Sequence, residues 1–170
     1  GLGIPAEPLF RSASHTFDKY HLMSSEEIEQ HKVCVCWDAC RYEAEWFKNN
    51  LPDVEIRTYY CEYEPKIGNT HTWLVFKLDD KWYVFEYTWY SKRGIKEISS
   101  PEALADEYIR DIPLHEHSPA KLKDAKYVLI EYDPLQDKPG ISCVEFMDRK
   151  WHNGTLIKTN CKSEEELIDT

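Results

Sequence analysis

The sequence predicts an α+β domain in which one helix packs on an antiparallel β-sheet. Apolar residues recur every three or four positions between Cys36 and Leu51, which is the period of one helix face. After Pro52 the period changes to two, and the segments that follow are rich in Tyr, Trp and Phe, which is typical of strands. A chain of 170 residues fits one domain, so we expect residues 1–170 to form a single unit.

Each element is predicted from its start signal and its period. Residues 1–20 show no periodicity and are expected to form an irregular arm. Ser24 and Glu27 are spaced as a helix capping box, and Ser100 before a proline marks a second helix start. Asp79-Asp80 separates two alternating runs and predicts a hairpin. The other predicted elements are a helix to about His31, a helix from Cys36 that ends at residues 49–52, a loop at residues 65–69, strands over residues 54–60, 71–78, 81–89 and 127–132, a helix to about Arg110, and a strand or short helix over residues 143–147.

Composition and charge exclude several classes of protein. The formal charge of −10 disfavours a nucleic-acid partner, because phosphate binding requires clustered Lys and Arg. No apolar run approaches the roughly 20 residues of a membrane span, so we expect no membrane partner. At this length six cysteines favour reduced thiols over a disulfide framework, and no signal peptide is visible. We therefore expect a cytoplasmic protein, although the chain opens Gly-Leu-Gly and a removed targeting segment stays open.

One cysteine occupies a position that favours reactivity. Cys36 lies at the predicted start of a helix, where unpaired N–H groups lower the pKa of a thiol. Cys40 lies one turn deeper on the same apolar face and is expected to be buried and inert. Cys34, on the extended approach to the helix, is the competing candidate for a reactive thiol.

A base and an acid are predicted on one hairpin. With a two-residue turn at Asp79-Asp80, position 71 lies opposite position 88, and position 73 lies opposite position 86. His71 and Glu86 then share one face, roughly 7–8 Å apart at the backbone. Packing the Cys36 helix on this sheet is expected to bring the thiol, the imidazole and the carboxylate together. This is the arrangement that cysteine hydrolases and acyltransferases use.

Three segments resemble the motif blocks of the transglutaminase-like superfamily. They are V-C-V-C-W-D-A-C-R-Y-E-A-E-W-F, T-H-T-W-L-V-F and K-W-Y-V-F-E-Y-T-W, and the resemblance covers residues 33–96. The sequence looks most like small bacterial transglutaminase-like proteins with Cys-Trp-Asp at the nucleophile. The resemblance implies a papain/transglutaminase-like core with Cys36 as nucleophile, His71 as base and Glu86 as third member. Glu86 departs from the superfamily pattern, in which this position is usually Asp.

The resemblance also implies an activity. We expect a cysteine-dependent amide or peptide hydrolase, or an acyl transferase, that forms a thioester and needs no cofactor. Hydrolysis is favoured because small bacterial members lack the extra domains of the crosslinking enzymes. The oxyanion hole is expected to combine the Cys36 N–H with a second donor, for which Gln30 and Trp37 are candidates. The alternative is an inactive module with the same fold that binds a peptide or protein partner.

Aromatic side chains and possible metal ligands complete the set of candidates. The aromatic residues proposed to bind substrate are Trp37, Trp73, Trp89 and Tyr90. A competing zinc site would use Cys34, Cys36, Cys40, Cys61 and His71, but the spacing is not Cys-x2-Cys. His115-Glu116-His117 is a weaker metal pattern, and we expect no metal. Residues 97–170 are expected to add a helix and strands whose role stays open.

Overall fold

An antiparallel β-sheet forms the centre of the protein in the computed structural model, which describes residues 11–12, 20–63, 70–115, 125–163 and 166. The helices in these ranges include α1 (Ser25–His31), α2 (Cys36–Asn50), α3 (Pro101–His115) and α4 (Cys143–Asn153). The strands are β1 (Arg11–Ser12), β2 (Val33–Cys34), β3 (Glu55–Tyr63), β4 (Thr70–Leu78), β5 (Lys81–Glu86), β6 (Gly94–Ile98), β7 (Tyr127–Tyr132) and β8 (Thr155–Thr159). The mixture of helices and antiparallel strands agrees with the predicted α+β class.

The sheet has the strand order β6-β5-β4-β3-β7-β8, and β1 and β2 form a separate parallel pair. The β4–β5 hairpin turns at Asp79 and Asp80, whose φ angles are +52° and +64°. Two positive φ angles match the twist of the flanking strands, as in a type I′ turn. Leu74 lies opposite Phe85, which confirms the predicted hairpin register in which position 73 faces position 86.

The predicted helix starts are confirmed by their caps. Ser24 and Glu27 form a reciprocal capping box at the start of α1. The N–H of Ala103 donates to the Ser100 hydroxyl at the start of α3. The helix α2 begins at Cys36 and ends at Asn50, in agreement with its predicted bounds.

Three predicted boundaries are wrong. Strand β3 continues to Tyr63 and does not end at residue 60, because its last residues pair with β7. Strand β5 ends at Glu86 and not at residue 89, because the Glu86 carboxylate accepts the N–H groups of the next three residues. Helix α3 continues beyond Arg110 and includes Pro113. Proline has no N–H to offer the carbonyl four residues earlier, and that carbonyl, on Ile109, accepts the hydroxyl of Tyr63 at 2.5 Å.

The C-terminal third differs most from its prediction. Residues 143–147 begin the helix α4, which Ser142 caps by accepting the N–H of Glu145. Strand β8 was not predicted, and it pairs with β7 at the edge of the sheet. The predicted loop at residues 65–69 and most of the arm at residues 1–20 lie outside the described residues.

Helices cover both faces of the sheet. Helix α2 packs Cys40 and Phe47 against Leu74 and Phe76 on one face, and α4 lies on the same face. Helix α3 covers the opposite face. The predicted packing of the Cys36 helix on the sheet is confirmed. His71 and Glu86 do share a face, but alternation along the strands directs them to the α3 side.

Candidate active site

Cys36 is the first residue of α2, where the chain turns from extended to helical backbone. Its N-cap, Val35, has φ −104° and ψ 175°. The first N–H groups of a helix have no intrahelical partner, so they surround the thiol with partial positive charge. Cys36 is half-buried, whereas Cys34 and Cys40 are buried. The structure therefore gives Cys36 the access that its competitor Cys34 lacks.

The thiol meets the imidazole at the beginning of β4. His71 is the second residue of this strand, and Cys36, the first residue of α2, interacts with it and with Thr72. The Cys36 thiol and the His71 imidazole are close enough there for each to shift the pKa of the other. The meeting point is thus the end of the strand, between the α2 and α3 faces, and not the surface beneath α2.

His71 is oriented by Glu86. Nε2 of His71 lies 2.7 Å from Oε1 of Glu86. An ionised carboxylate only accepts hydrogen bonds, so Nε2 carries a proton and Nδ1 is the ring nitrogen left for the thiol. The imidazole is 8% exposed and is enclosed by the rings of Trp73, Trp89 and Tyr108, whose centroids lie 5.2–6.0 Å from its own.

The Glu86 carboxylate is buried and fully hydrogen-bonded. Oε1 accepts His71 Nε2 and the Tyr108 hydroxyl, the latter at 2.6 Å. Oε2 accepts the backbone N–H groups of residues 87, 88 and 89 at 2.9, 3.1 and 3.2 Å. A buried carboxylate costs free energy unless such partners are present, so these five donors keep Glu86 ionised in the core.

The electrostatics of the three groups favour a thiolate–imidazolium pair. Burial acts to raise the pKa of the Cys36 thiol, but His71 and Thr72 outweigh it and lower the pKa below its ordinary value. Burial acts to lower the pKa of His71, but Glu86 and Cys36 raise it to about 10. Burial acts to raise the pKa of Glu86, yet His71, Tyr108 and the backbone donors lower it. By contrast, burial raises the pKa of the Cys34 thiol.

Thr72 is a further partner of the thiol. Its hydroxyl and its backbone N–H both act to lower the pKa of Cys36. The same hydroxyl oxygen accepts the Cys40 thiol at 3.5 Å. Sulfur hydrogen bonds are weak, but donors aimed at an anionic sulfur stabilise the thiolate. Cys40 is thus buried, as predicted, and contacts Thr72 beneath the reactive thiol.

A narrow cleft lies beside the thiol on the α2 and α4 face. Its volume is about 10 Å³, close to the space that one water molecule needs. It is lined by Cys36, Trp37, Tyr60, Thr70, Thr72, Cys143, Phe146 and Met147. Apart from the Cys36 thiolate, these side chains are uncharged or weakly polar, so the cleft favours a neutral group next to the sulfur.

The aromatic candidates for substrate binding separate into three places. Trp37 lines the cleft beside Cys36. Trp73 and Trp89 are only 1% and 7% exposed and pack against the imidazole, so they support His71 and do not reach a substrate. Tyr90 is 82% exposed, with the Arg93 guanidinium 5.2 Å from its ring centroid, and does not line this cleft.

The two candidates for the second oxyanion donor lie at different depths. Gln30 is exposed on α1 and is not among the residues that line the cleft. Trp37, the second residue of α2, is 3% exposed and packs against Phe146 with 4.4 Å between ring centroids. Of the two, only Trp37 lies beside the sulfur.

Two residues of the site, Thr72 and Tyr108, were not predicted from the sequence. Thr72 follows His71 directly, but alternation along a strand places neighbouring side chains on opposite faces. Tyr108 follows Leu104 and precedes Ile112 at helical spacing, which predicts a buried face for α3. That pattern does not show where the hydroxyl points, so Tyr108 carried no signal for the site.

The competing zinc interpretation gains no support from the geometry. Over the residues that the structure describes, no group of three or more His, Cys, Asp or Glu side chains is placed to hold a metal ion. The side chains of residues 115–117 lie outside that part of the chain. All six cysteines carry free thiols.

Comparison with known proteins was made by family model, by sequence and by structure. No protein-family model matches the chain, and neither a curated protein nor a solved structure does. Within the described ranges, no helix is both long enough and apolar enough to cross a bilayer. The functional interpretation therefore depends on the site itself.

Proposed function

We propose that this protein is a cysteine-dependent enzyme that hydrolyses an amide or peptide bond, or transfers its acyl group, through a thioester on Cys36. One observation carries the proposal: His71 Nε2 hydrogen-bonds to Glu86, and the imidazole and the Cys36 thiol are close enough for each to shift the pKa of the other. We also propose a papain/transglutaminase-like core. The support is the chain order of a Cys at a helix start, a His on a strand and an acid on the next strand.

The first half of the proposed reaction uses the ion pair. The Cys36 thiolate attacks the carbonyl carbon of the substrate, and the oxygen that becomes negative is stabilised by the N–H at the start of α2. The His71 imidazolium gives its proton to the departing nitrogen, the C–N bond breaks and an amine or ammonia leaves. A thioester on Cys36 and a neutral imidazole remain.

The second half regenerates the thiolate. Neutral His71 takes a proton from water, or from an amine in the transferase case, and the nucleophile attacks the thioester carbonyl. The C–S bond breaks, the acid or the new amide leaves, and the imidazolium and the thiolate are restored. Glu86 stays ionised throughout and stabilises the imidazolium without accepting its proton.

The proposal is tested by the reactivity of the thiol against pH. Iodoacetamide alkylation is followed separately at Cys36 and at half-buried Cys161, the internal control, by peptide mass spectrometry. We expect Cys36 to react rapidly well below pH 8.5, the approximate ordinary pKa of a thiol. The variant His71→Ala should lose this low-pH reactivity, and Cys36→Ser should lose the adduct. A Cys36 that titrates near 8.5 and is indifferent to His71→Ala contradicts the proposal.

A second measurement separates the enzyme from an inactive binding module. Incubation with a library of peptides and small amides, followed by intact-mass analysis, should show an acyl adduct that neutral hydroxylamine removes. The adduct should be absent from Cys36→Ser. Saturable binding of a peptide to both forms, with no adduct and no product, would support the binding module.

A further inference from the structure

Tyr108 contacts the acid of the proposed active site from the face opposite α2. It lies near the middle of α3, is 1% exposed, and donates its hydroxyl to Glu86 Oε1 at 2.6 Å. His71 Nε2 donates to the same oxygen at 2.7 Å. The two donors therefore share one atom, and the position of Oε1 is set between them.

Helix α3 is held close to this contact by its neighbours. The ammonium of Lys92 lies 2.7 Å from Oδ2 of Asp111, one turn after Tyr108. It lies 3.4 Å from Oε2 of Glu107, the residue before Tyr108. The same ammonium lies 5.1 Å and 5.5 Å from the ring centroids of Trp89 and Tyr108. The segment that follows Glu86 is thus joined to the helix that carries Tyr108.

We propose that Tyr108 is a positioning residue of this site, which directs Glu86 Oε1 toward His71 and keeps the carboxylate ionised. The proposal rests on the proposed function, because it assigns Tyr108 a role in that same site. Three backbone N–H groups fix the position of Oε2, but they do not fix the orientation of the rest of the carboxylate. The Tyr108 hydroxyl is the donor that fixes Oε1.

The groups around Glu86 explain why this donor matters. From β4 it faces His71, and from α2 the thiol of Cys40 and the carboxyl of Glu43 interact with it electrostatically. Burial raises the pKa of Glu43 well above its ordinary value, which favours the neutral form of that carboxyl beside Glu86. Among these side chains, Tyr108 and His71 are the donors to Oε1.

Removing the Tyr108 hydroxyl should shift the pH dependence of Cys36 reactivity in one direction. Without this donor the pKa of Glu86 rises, so its carboxylate is protonated at a higher pH. A protonated Glu86 no longer stabilises the imidazolium, and neither does a carboxylate whose Oε1 turns away from His71. Both effects move the acid limb of the Cys36 reactivity profile to higher pH.

The test compares two Tyr→Phe variants. Each variant removes one hydroxyl group whose hydrogen bond involves a residue of α3. Tyr108→Phe keeps the ring and removes the donor to Glu86. Tyr63→Phe removes the donor to the Ile109 carbonyl on the same helix and leaves Glu86 untouched. We expect the acid limb of Cys36 alkylation to move up by about one pH unit in Tyr108→Phe, or about tenfold slower alkylation on that limb. The profile of Tyr63→Phe should match the wild type.

The outcomes separate this inference from the proposed function. A wild-type Cys36 that depends on His71, together with identical profiles for both Phe variants, overturns the role of Tyr108 alone. A wild-type Cys36 with an ordinary profile overturns the proposed function first. Equal shifts in both variants would show a general effect of loosening α3 and would also overturn the inference.

A measurement on the wild type covers the case in which Tyr108→Phe does not fold. A hydroxyl proton held between Tyr108 and Glu86 should give a downfield proton resonance that exchanges slowly with water, assigned by its cross-peaks to the Tyr108 ring. We expect this resonance to shift when Glu86 is protonated at acid pH. A rapidly exchanging hydroxyl, with no such resonance, contradicts the inference.

Discussion

Replacing Glu86 by Gln tests whether the charge of the side chain, and not its shape, sets the state of His71. Gln has the same length as Glu, and one of its terminal atoms must accept the three N–H groups of residues 87–89. Only the amide oxygen can accept, so the NH₂ group takes the place of Oε1. It then faces the ring of His71 and the hydroxyl of Tyr108.

An NH₂ group at that place reverses the tautomer of His71. Nε2 must now accept, so the ring proton moves to Nδ1, which faces the Cys36 thiol, and the imidazole can no longer hold the thiol proton. With an ordinary pKa of about 8.5, about one thiol in 300 is ionised at pH 6. We therefore expect Cys36 alkylation at pH 6 to fall by about 100-fold or more. Acyl transfer should fall by about 10⁴-fold, as for the equivalent change in a Ser-His-Asp triad.

The assay combines alkylation rates with nitrogen NMR of the histidine rings, which distinguishes the Nδ1–H from the Nε2–H form. Glu62→Gln is the matched control. Glu62 is 2% exposed and accepts hydrogen bonds from Tyr60 and Trp151, but it points to the other face of the sheet. The reasoning is refuted if Glu86→Gln retains the wild-type alkylation profile or the Nε2–H form of His71.

The same substitution should change how stability depends on pH. Because the pKa of Glu86 is lowered in the folded state, the unfolded chain binds more protons there. The stabilisation from this carboxylate is present above its ordinary pKa and is lost as the pH falls through the lowered value. The free energy of unfolding of the wild type should therefore fall as the pH becomes acid. Glu86→Gln should reduce that loss of stability at acid pH.

Two further predictions concern the thiol and the hairpin. Thr72→Val removes one donor to the Cys36 sulfur and should slow alkylation at pH 6 about tenfold. Thr58→Val is its control, since the buried Thr58 hydroxyl has no hydrogen-bond partner among the described residues, and it should leave the rate unchanged. Asp80→Gly relieves a φ of +64° and should stabilise the fold by about 0.5–1 kcal/mol in urea denaturation. A lower midpoint would contradict the argument from backbone strain at Asp80.

Local signals in the sequence predicted the parts of the site that local geometry determines. The start of α2 at Cys36 follows from the apolar period of that helix. The shared face of His71 and Glu86 follows from a two-residue turn and the alternation of strands. These features depend on residues within about fifteen positions of one another, so the sequence contains enough information to derive them.

The layer that encloses the site was not predictable in this way. The period of α3 shows that Leu104, Tyr108 and Ile112 share a buried face, but no local pattern shows which face of the sheet receives it. Side-chain alternation directs His71 away from α2, so the thiol reaches the imidazole around the end of β4. Such placement depends on contacts between distant segments, and the role of Tyr108 depends on it.

The length of the Glu86 side chain is explained by the distances that its carboxylate must span. The register places position 86 opposite position 73, so His71 is a diagonal neighbour and not a direct one. The carboxylate must reach that imidazole with Oε1 while Oε2 turns back to the N–H groups of residues 87–89. An Asp is shorter by one C–C bond, about 1.5 Å, which is half the length of a hydrogen bond. In this register Asp would satisfy the backbone or the imidazole, but not both. The hairpin geometry therefore explains why the acid that orients His71 is a Glu and not an Asp.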